Sequence, residues 1–319
     1  MALGEFDLIH HYFDRPGGRA VLGIGDDCAL VAPTPGMQLA ISTDMLVEGR
    51  HFLSTVAPER LGHKSLAVNL SDLAACGARP LAFTLSLALP RVDEAFLAGF
   101  SRGLFALADA HGIELVGGDT TAGPLNISIT VFGEVPPGRA LLRSGARPGD
   151  QLWISGTLGD ARLALEVFRG TLPLAGDAFE QVRQAMEQPT PRVALGQALQ
   201  GVASAAADIS DGLLGDLGHI LKRSGVGAQL DADALPRSAV LAAQPLAVQR
   251  QCTLAGGDDY ELVFTAPAAA AAAVQAAGRA AGVAVTCVGH IQAGPGLRVV
   301  DAAGRPVDHG LASFDHFKT

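Results

Sequence analysis

Six short aspartate clusters, flanked by glycine, serine or asparagine, are the residues of this sequence best suited to chemistry. Carboxylates gathered near apolar segments repel one another, and each costs several kcal/mol unless it is paired or bound to a metal. Only three lysines are present to pair with them, whereas Mg²⁺ prefers oxygen ligands and leaves coordination positions open to phosphates. The pattern therefore predicts a magnesium–phosphate site assembled from loops far apart in sequence. The clusters are Gly25-Asp26-Asp27, Ser42-Thr43-Asp44, Asn69-Leu70-Ser71-Asp72, Gly117-Gly118-Asp119, Asp208-Ile209-Ser210-Asp211 and Gly256-Gly257-Asp258-Asp259.

The composition limits the class of protein that can carry such a site. The 319 residues are 49% hydrophobic and 17% charged, which is typical of a globular chain with room for two domains. A net charge of −9 argues against nucleic-acid or anionic-membrane partners, because those surfaces attract basic patches. Four scattered cysteines without C-x-x-C spacing predict reduced thiols in a cytoplasmic protein, and neither a signal peptide nor a membrane span is expected.

Short apolar runs alternate with helical patterns, which predicts an α/β or α+β fold. A proline- and glycine-rich break after residue 135 places the domain boundary near residue 140, giving domains 1–140 and 141–319. Strands are expected at 37–41, 81–89, 113–116, 126–135, 151–154, 261–265, 283–288 and 297–300, with a short strand leading into Asp208. Helices are expected at 58–76, 93–111, 160–168, 178–187, 193–201, 212–223 and in the alanine-rich run 266–277.

Each cluster also has an interpretation without function. Ser65, Asn69 and Asp72 share one face of the 58–76 helix, which indicates either a site wall or a solvated face. Gly117-Gly118-Asp119 and Gly25-Asp26-Asp27 suit close approach to a phosphate or metal, but each is also compatible with a tight turn. Ser210 or Asp211 would serve equally as a helix N-cap. Neither a P-loop nor a protein-kinase catalytic loop is present.

Taken together and in order, these clusters resemble the thiamine-monophosphate kinase family, of the aminoimidazole ribonucleotide synthetase superfamily. The resemblance runs from about residue 4 to residue 317. At one position the family's usual Gly-Gly-Glu-Asp-Tyr-Glu is Gly-Gly-Asp-Asp-Tyr-Glu here, so Asp258 is one methylene shorter. The matching segments are 4–6, 23–29, 41–44, 51–52, 67–75, 117–121, 143–145, 208–213, 256–262 and 315–317.

The resemblance implies ATP-dependent phosphorylation of thiamine monophosphate to thiamine diphosphate by direct in-line transfer, assisted by several Mg²⁺ ions. It also implies two domains, an N-terminal mixed-sheet domain for dimerisation and Mg-ATP binding and a C-terminal α/β domain. The protein is then a homodimer with its active site in the cleft between domains. No general base is needed, because the accepting phosphate oxygen is already ionised.

Residue roles follow from the same resemblance. Asp72, Asp119 and Arg143 are implied as catalytic, and Arg143 would otherwise be a surface residue. ATP contacts are implied for Gly118, Asp119, Arg143 and Ser210. Contacts to thiamine monophosphate are implied for His51, Asp258 and Phe314, although Phe314 would equally pin the C-terminal tail to the core. Metal ligands are implied at Asp27, Ser42, Thr43, Asp44, Asp72, Asp119, Asp208 and Asp211.

Two other functions remain open from the sequence. One is a sister ATP-dependent synthetase of the same superfamily, of the aminoimidazole ribonucleotide or selenophosphate type. The other is a non-catalytic metal or nucleotide sensor. An assay of phosphate transfer to thiamine monophosphate separates all three.

Overall fold

The computed structural model describes residues 4–15, 17–308 and 310–311. The chain divides into an N-terminal unit, residues 1–73 and 78–138, and a C-terminal unit, residues 74–77 and 139–319. Among the described residues, no helix combines the length and the hydropathy needed to cross a membrane.

The N-terminal unit is built on a four-stranded mixed sheet in the order β1-β4-β2-β3. Strand β4 pairs antiparallel with both β1 and β2, while β2 and β3 are parallel and are connected through α3. The elements are α1 (Glu5–Tyr12), β1 (Gln38–Val47), α2 (Pro58–Cys76), β2 (Arg79–Leu89), α3 (Glu94–His111), β3 (Glu114–Ala122) and β4 (Asn126–Val135).

Local chemistry sets the ends and the packing of the helices in this unit. Asp93 caps α3 by accepting a hydrogen bond from the Phe96 amide at 3.0 Å, and Gly112 ends the helix in the left-handed conformation. Helices α2 and α3 lie in very close contact, because a Cβ atom at Gly62 would fall 2.0 Å from the Phe100 carbonyl oxygen. The buried core includes Leu66, Leu70, Phe83, Phe100, Ile127 and Val131.

The C-terminal unit is built on a six-stranded sheet in the order β10-β7-β9-β5-β8-β6, parallel between β10 and β7 and antiparallel elsewhere. Its strands are β5 (Asp150–Ser155), β6 (Ala205–Asp208), β7 (Gly227–Asp231), β8 (Leu262–Pro267), β9 (Val285–Gln292) and β10 (Gly296–Val300). Its helices are α4 (Asp160–Phe168), α5 (Gly176–Glu187), α6 (Val193–Ala198), α7 (Leu213–Ser224), α8 (Ala239–Ala242), α9 (Leu246–Ala255) and α10 (Ala271–Ala280), with a 3-10 turn at Ala268–Ala270.

Most of the expected elements are present, and the mixed helix-and-sheet fold class is confirmed. The bounds of α2, β4 and α4 agree with the sequence prediction. Four elements were not predicted, namely α1, β7, α8 and α9. The alanine-rich run was placed too early, because its first residues belong to β8 and the 3-10 turn.

Candidate functional site

The polar stripe of α2 faces the sheet and not solvent. Ser65 and Asn69 are buried, and Asp72 is half-buried. The Ser42 hydroxyl donates to Oδ2 of Asp72 at 2.5 Å, and the Asp44 amide donates to Oδ1 of Asn69 at 3.0 Å. The solvated-face interpretation of the stripe is therefore wrong, and α2 and β1 bring two of the predicted clusters together.

Strand β1 separates the three residues of its own cluster. The sequence prediction ended this strand at residue 41, but the strand continues to Val47, so successive side chains alternate between the faces of the sheet. Ser42 and Asp44 lie in register with the buried Val131 and Ile129, on the face covered by α2. The Thr43 hydroxyl lies on the opposite face, 2.8 Å from that of Thr130.

The Gly117-Gly118-Asp119 cluster lies within β3, so both the predicted strand end at residue 116 and the tight-turn interpretation are wrong. A register shift against β2 leaves Val116 as an extra residue between Leu115 and Gly117, which is a β-bulge. Gly118 follows with φ of +150°, and a Cβ atom there would lie 1.8 Å from the Leu85 carbonyl oxygen. Only glycine fits this position.

A cavity of about 570 Å³ lies beside β3 in the N-terminal unit. Asp27, Gly118 and Asp119 all line it, so the structure brings the first and fourth clusters to one space. The exposed carboxylates of Asp27 and Asp119 supply oxygen donors, and the apolar side chains of α1 supply a hydrophobic wall. That combination suits an anionic ligand with an apolar ring and a bound cation.

In the C-terminal unit, the loop between β6 and α7 holds the fifth cluster. Asp208 is 4% exposed at the end of β6, and Asp211 is exposed. Neither Ser210 nor Asp211 caps the helix, since the N-cap is Gly212 without a side-chain cap. Instead, Oδ2 of Asp216 in the first turn of α7 accepts hydrogen bonds from the amides of Ser210, Asp211 and Gly212, each at 3.1 Å.

The sequence pattern does not single out Asp216, which lies five residues after Asp211 and belongs to none of the clusters. Burial, followed by the negative charges of Asp208 and Asp211, raises the pKa of the Asp216 carboxyl to about 7, although the hydrogen bonds from the loop amides lower it. Three carboxylates thus interact at this loop. A divalent cation there would relieve their mutual repulsion.

The sixth cluster is hydrogen-bonded to the fifth. The Asp258 amide donates to the Ser210 carbonyl oxygen at 2.7 Å, and the Tyr260 amide donates to that of Ile209 at 2.9 Å. Asp258 and Tyr260 have positive φ values, +63° and +52°, which are strained for residues other than glycine. Strain of this kind persists where surrounding contacts over-determine the backbone, and it is common at ligand sites.

His51 and Arg143 occupy different units. The Val47 amide donates to Nδ1 of His51 at 3.0 Å, so the neutral imidazole carries its proton on Nε2. Arg143 has an exposed side chain, while its carbonyl oxygen accepts a hydrogen bond from the Ser224 hydroxyl at 3.2 Å. Phe314 lies outside the described residues.

No group of three or more histidine, cysteine, aspartate or glutamate side chains in the described ranges is arranged to hold a metal ion by itself. The donors present are nevertheless those of a hard cation, because they are carboxylate and hydroxyl oxygens. Mg²⁺ in phosphate-binding enzymes commonly uses one or two carboxylates and takes its other ligands from water and substrate phosphates. The residues therefore fit magnesium held jointly with a phosphorylated ligand.

Comparison with known proteins places this arrangement in a family. Residues 25–135 match the model for AIR synthase related protein, N-terminal domain, and residues 147–302 match the model for the C-terminal domain. Thiamine-monophosphate kinase of Salmonella typhimurium is 48% identical over 326 aligned positions that cover 100% of both chains.

Two solved structures agree with that relationship. Thiamine-monophosphate kinase from Stenotrophomonas maltophilia K279a is 46% identical, covers 91% of this chain and 92% of its own, and superposes with a TM-score of 0.85. AaThiL complexed with AMPPCP and TMP is 31% identical, covers 90% and 89% of the two chains, and has a TM-score of 0.77. The chain therefore belongs to the thiamine-monophosphate kinase family.

Proposed function

We propose that this protein transfers the γ-phosphoryl group of ATP to thiamine monophosphate, giving thiamine diphosphate and ADP. One observation carries the proposal. The chain matches AaThiL complexed with AMPPCP and TMP over 90% of its length. AMPPCP is an analogue of ATP, and TMP is the phosphorylated acceptor from which this family takes its name, so that complex holds both substrate types.

The reaction is an exchange of two phosphorus–oxygen bonds. A phosphate oxygen of thiamine monophosphate forms a bond to the γ-phosphorus, and the bond from that phosphorus to the β,γ-bridging oxygen breaks. The bridging oxygen keeps the electron pair and leaves on ADP. Because a phosphate monoester has a second pKa of about 6, the acceptor oxygen is ionised at neutral pH and no general base is needed. The protein's task is positioning and charge stabilisation.

The residues that we assign to ATP are Gly118, Asp119, Arg143 and Ser210. Gly118 and Asp119 line the cavity beside β3. Arg143 has an exposed guanidinium on a segment anchored by Ser224, which suits a bidentate contact to phosphate. Ser210 lies in the loop that Asp216 holds.

Thiamine monophosphate is assigned to His51, Asp258 and Phe314. With its proton on Nε2, the neutral His51 ring is a donor to a phosphate oxygen. Asp258 offers a carboxylate or hydrogen-bond acceptor to the cationic thiamine moiety, through a bridging water where its shorter side chain falls short. Phe314 would stack on the thiazolium or aminopyrimidine, where a cation–π contact contributes about 0.5–2 kcal/mol.

Magnesium completes the proposed site. The residues that would hold it are carboxylate or hydroxyl donors, and the proximity of Asp208, Asp211 and Asp216 supports a cation at that loop. When bound, Mg²⁺ would offset the charge of the two phosphorylated substrates. The set expected from the sequence is Asp27, Ser42, Thr43, Asp44, Asp72, Asp119, Asp208 and Asp211. The Thr43 hydroxyl lies on the face of β1 opposite to Ser42 and Asp44, so we do not propose that side chain as a ligand beside them.

We place the protein in the cytoplasm as a homodimer that pairs through the N-terminal unit. Leu39, Ile41 and Met45 on β1 are 48%, 60% and 55% exposed and lie on one face of the strand, where they form an apolar row that is interrupted only by Thr43. A second copy of this chain would cover that row. Burial of such a row is a common reason for dimer formation at exposed sheets.

The experiment is a product assay with purified full-length protein, ATP, Mg²⁺ and thiamine monophosphate. The expected result is stoichiometric thiamine diphosphate and ADP, no product with EDTA, and no product when thiamine replaces its monophosphate. ATP consumption without thiamine diphosphate would instead indicate a sister synthetase. Binding of ATP without turnover would indicate a sensor, and either result would overturn the proposal.

A further inference from the structure

The Asp216 carboxylate has an unusual set of partners. It is 3% exposed, and a single oxygen, Oδ2, accepts from three consecutive amides, those of Ser210, Asp211 and Gly212. These amides precede α7, where backbone donors have no partner within the helix. A carboxylate reaching back from the first turn satisfies all three together.

The same loop is held from its other side. The carbonyl oxygens of Ile209 and Ser210 accept hydrogen bonds from the amides of Tyr260 and Asp258. The backbone around Ser210 is thus fixed through both its donors and its acceptors. Its conformation determines where the side chains of Asp208, Ser210 and Asp211 point, and it also locates the strained backbone of Asp258.

We propose that Asp216 is a positioning residue that holds the 208–212 loop in the conformation in which its side chains bind metal and nucleotide. Asp216 itself touches neither ligand in this proposal. Oδ2 of Asp216 accepts hydrogen bonds from the loop amides that would otherwise attract a phosphate or water. The phosphorylated ligands therefore contact the side chains of the loop and not its amides. The inference rests on the proposed function, because that function assigns the loop its ligands.

The test compares two substitutions at this position. In Asp216→Asn, the amide oxygen can still accept from the three backbone donors, so the geometry is kept while the charge is lost. In Asp216→Ala, all three hydrogen bonds are lost. If Asp216→Ala does not fold, Asp216→Ser replaces it, because its shorter side chain cannot reproduce the three contacts.

Asp231→Asn is the matched control. The Asp231 carboxylate also accepts from two nearby amides, those of Asp233 and Ala234, at 2.9 and 3.2 Å in the same unit. It has no role in the proposed site.

Measurements are the melting temperature, the affinity for Mn²⁺ in the presence of AMPPCP by calorimetry, and kcat and KM for ATP. Outer partners of metal ligands typically change affinity or activity by about 10- to 100-fold, so Asp216→Ala should weaken Mn²⁺ binding by that range. Asp216→Asn should retain most of the affinity, within about 3-fold on the same scale. The control should match the wild type.

Two outcomes would overturn the proposal. If Asp216→Ala lowers the melting temperature but keeps wild-type Mn²⁺ affinity and kcat/KM, Asp216 only stabilises α7. If Asp216→Asn loses as much Mn²⁺ affinity as Asp216→Ala, its charge and not its geometry is what matters. Binding of Mn²⁺ and AMPPCP needs no turnover. If the wild type fails to make thiamine diphosphate, the proposed function is refuted, but the binding measurements still test the role of Asp216.

Discussion

Asp72 joins a helix to a strand through one short contact, the 2.5 Å hydrogen bond from the Ser42 hydroxyl. Asp72→Asn can keep that contact through its amide oxygen, so we expect the fold to survive. The Asp72→Asn substitution removes the negative charge of a proposed metal ligand. We expect kcat to fall by about 100-fold or more, as it does when other electrostatic groups of an active site are removed. Asp109→Asn, at an exposed aspartate of the same unit paired with Arg15, is the control. Near-wild-type turnover of Asp72→Asn at saturating Mg²⁺ would refute the assignment.

Arg143 shows how an exposed side chain can still be specific. Lysine keeps the positive charge but loses the planar fork that binds two phosphate oxygens. Loss of one charge-assisted hydrogen bond should therefore raise the KM for ATP by about 10-fold in Arg143→Lys. Arg147→Lys, four residues away and also exposed, should leave it unchanged. If only the KM for thiamine monophosphate changes, Arg143 contacts that substrate and the assignment to ATP is wrong.

The pairing of strand β3 with β2 depends on the absence of a side chain at Gly118. Gly118→Ala would place a Cβ atom against the Leu85 carbonyl oxygen in a backbone conformation unfavourable to alanine, and should cost more than about 1 kcal/mol of unfolding free energy. The neighbouring Gly117→Ala is the control, because a Cβ there meets no atom within 4 Å. Urea unfolding measures both variants. Equal midpoints for the two would show that β2 and β3 can separate at little cost.

The 256–261 segment also affects how the stability of the protein depends on pH. Burial, together with the charges of Glu261, Asp258 and Asp160, raises the pKa of Asp259 well above 3.8, although the Gly159 amide donates to it at 2.8 Å. A raised folded-state pKa contributes stability that is fully present below the unfolded value near 3.8 and is lost as pH rises through the folded value.

Melting temperatures measured in EDTA should therefore fall from pH 4 upward partly because Asp259 ionises. In Asp259→Asn, which cannot ionise, the difference in melting temperature between pH 5 and pH 8 should shrink. Asp177→Asn, at an exposed position in the first turn of α5, should keep the wild-type difference. An unchanged pH dependence in Asp259→Asn would mean that this carboxyl does not control stability.

The sequence was sufficient to predict α2 and its polar stripe, because a 3.6-residue period is local and the stripe contained one charge. It could not predict that β1 runs through Ser42 and Asp44, since that extension depends on pairing with β4, far along the chain. Likewise, Gly117 and Gly118 favour a turn locally, and only the pairing of β3 with β2 keeps them extended. Asp216 was missed because its partners are backbone amides, which have no sequence signature.

The proposed ligands are divided between the two units. Asp27, Asp72 and Asp119 belong to the N-terminal unit, and Asp208 and Asp211 to the C-terminal unit. Neither unit therefore carries the full proposed set. Among the described residues, no group of three acidic, histidine or cysteine side chains is arranged to hold a metal ion, so shared phosphate ligands are part of the proposal.

The exposed face of strand β1 predicts that two copies of the chain form a dimer. Strand β1 is at the edge of its sheet, and Leu39, Ile41 and Met45, together with Thr43, present a largely apolar row on the face away from α2. Light scattering at micromolar concentration should give twice the chain mass of 32.6 kDa. Ile41→Glu should dissociate the dimer, because burial of an unpaired carboxylate in an apolar interface is costly. Val21→Glu, at an apolar residue that is 71% exposed outside this row, is the control and should remain dimeric. A monomeric wild type, or an Ile41→Glu variant that keeps the dimer mass, would show that a second copy does not cover this row.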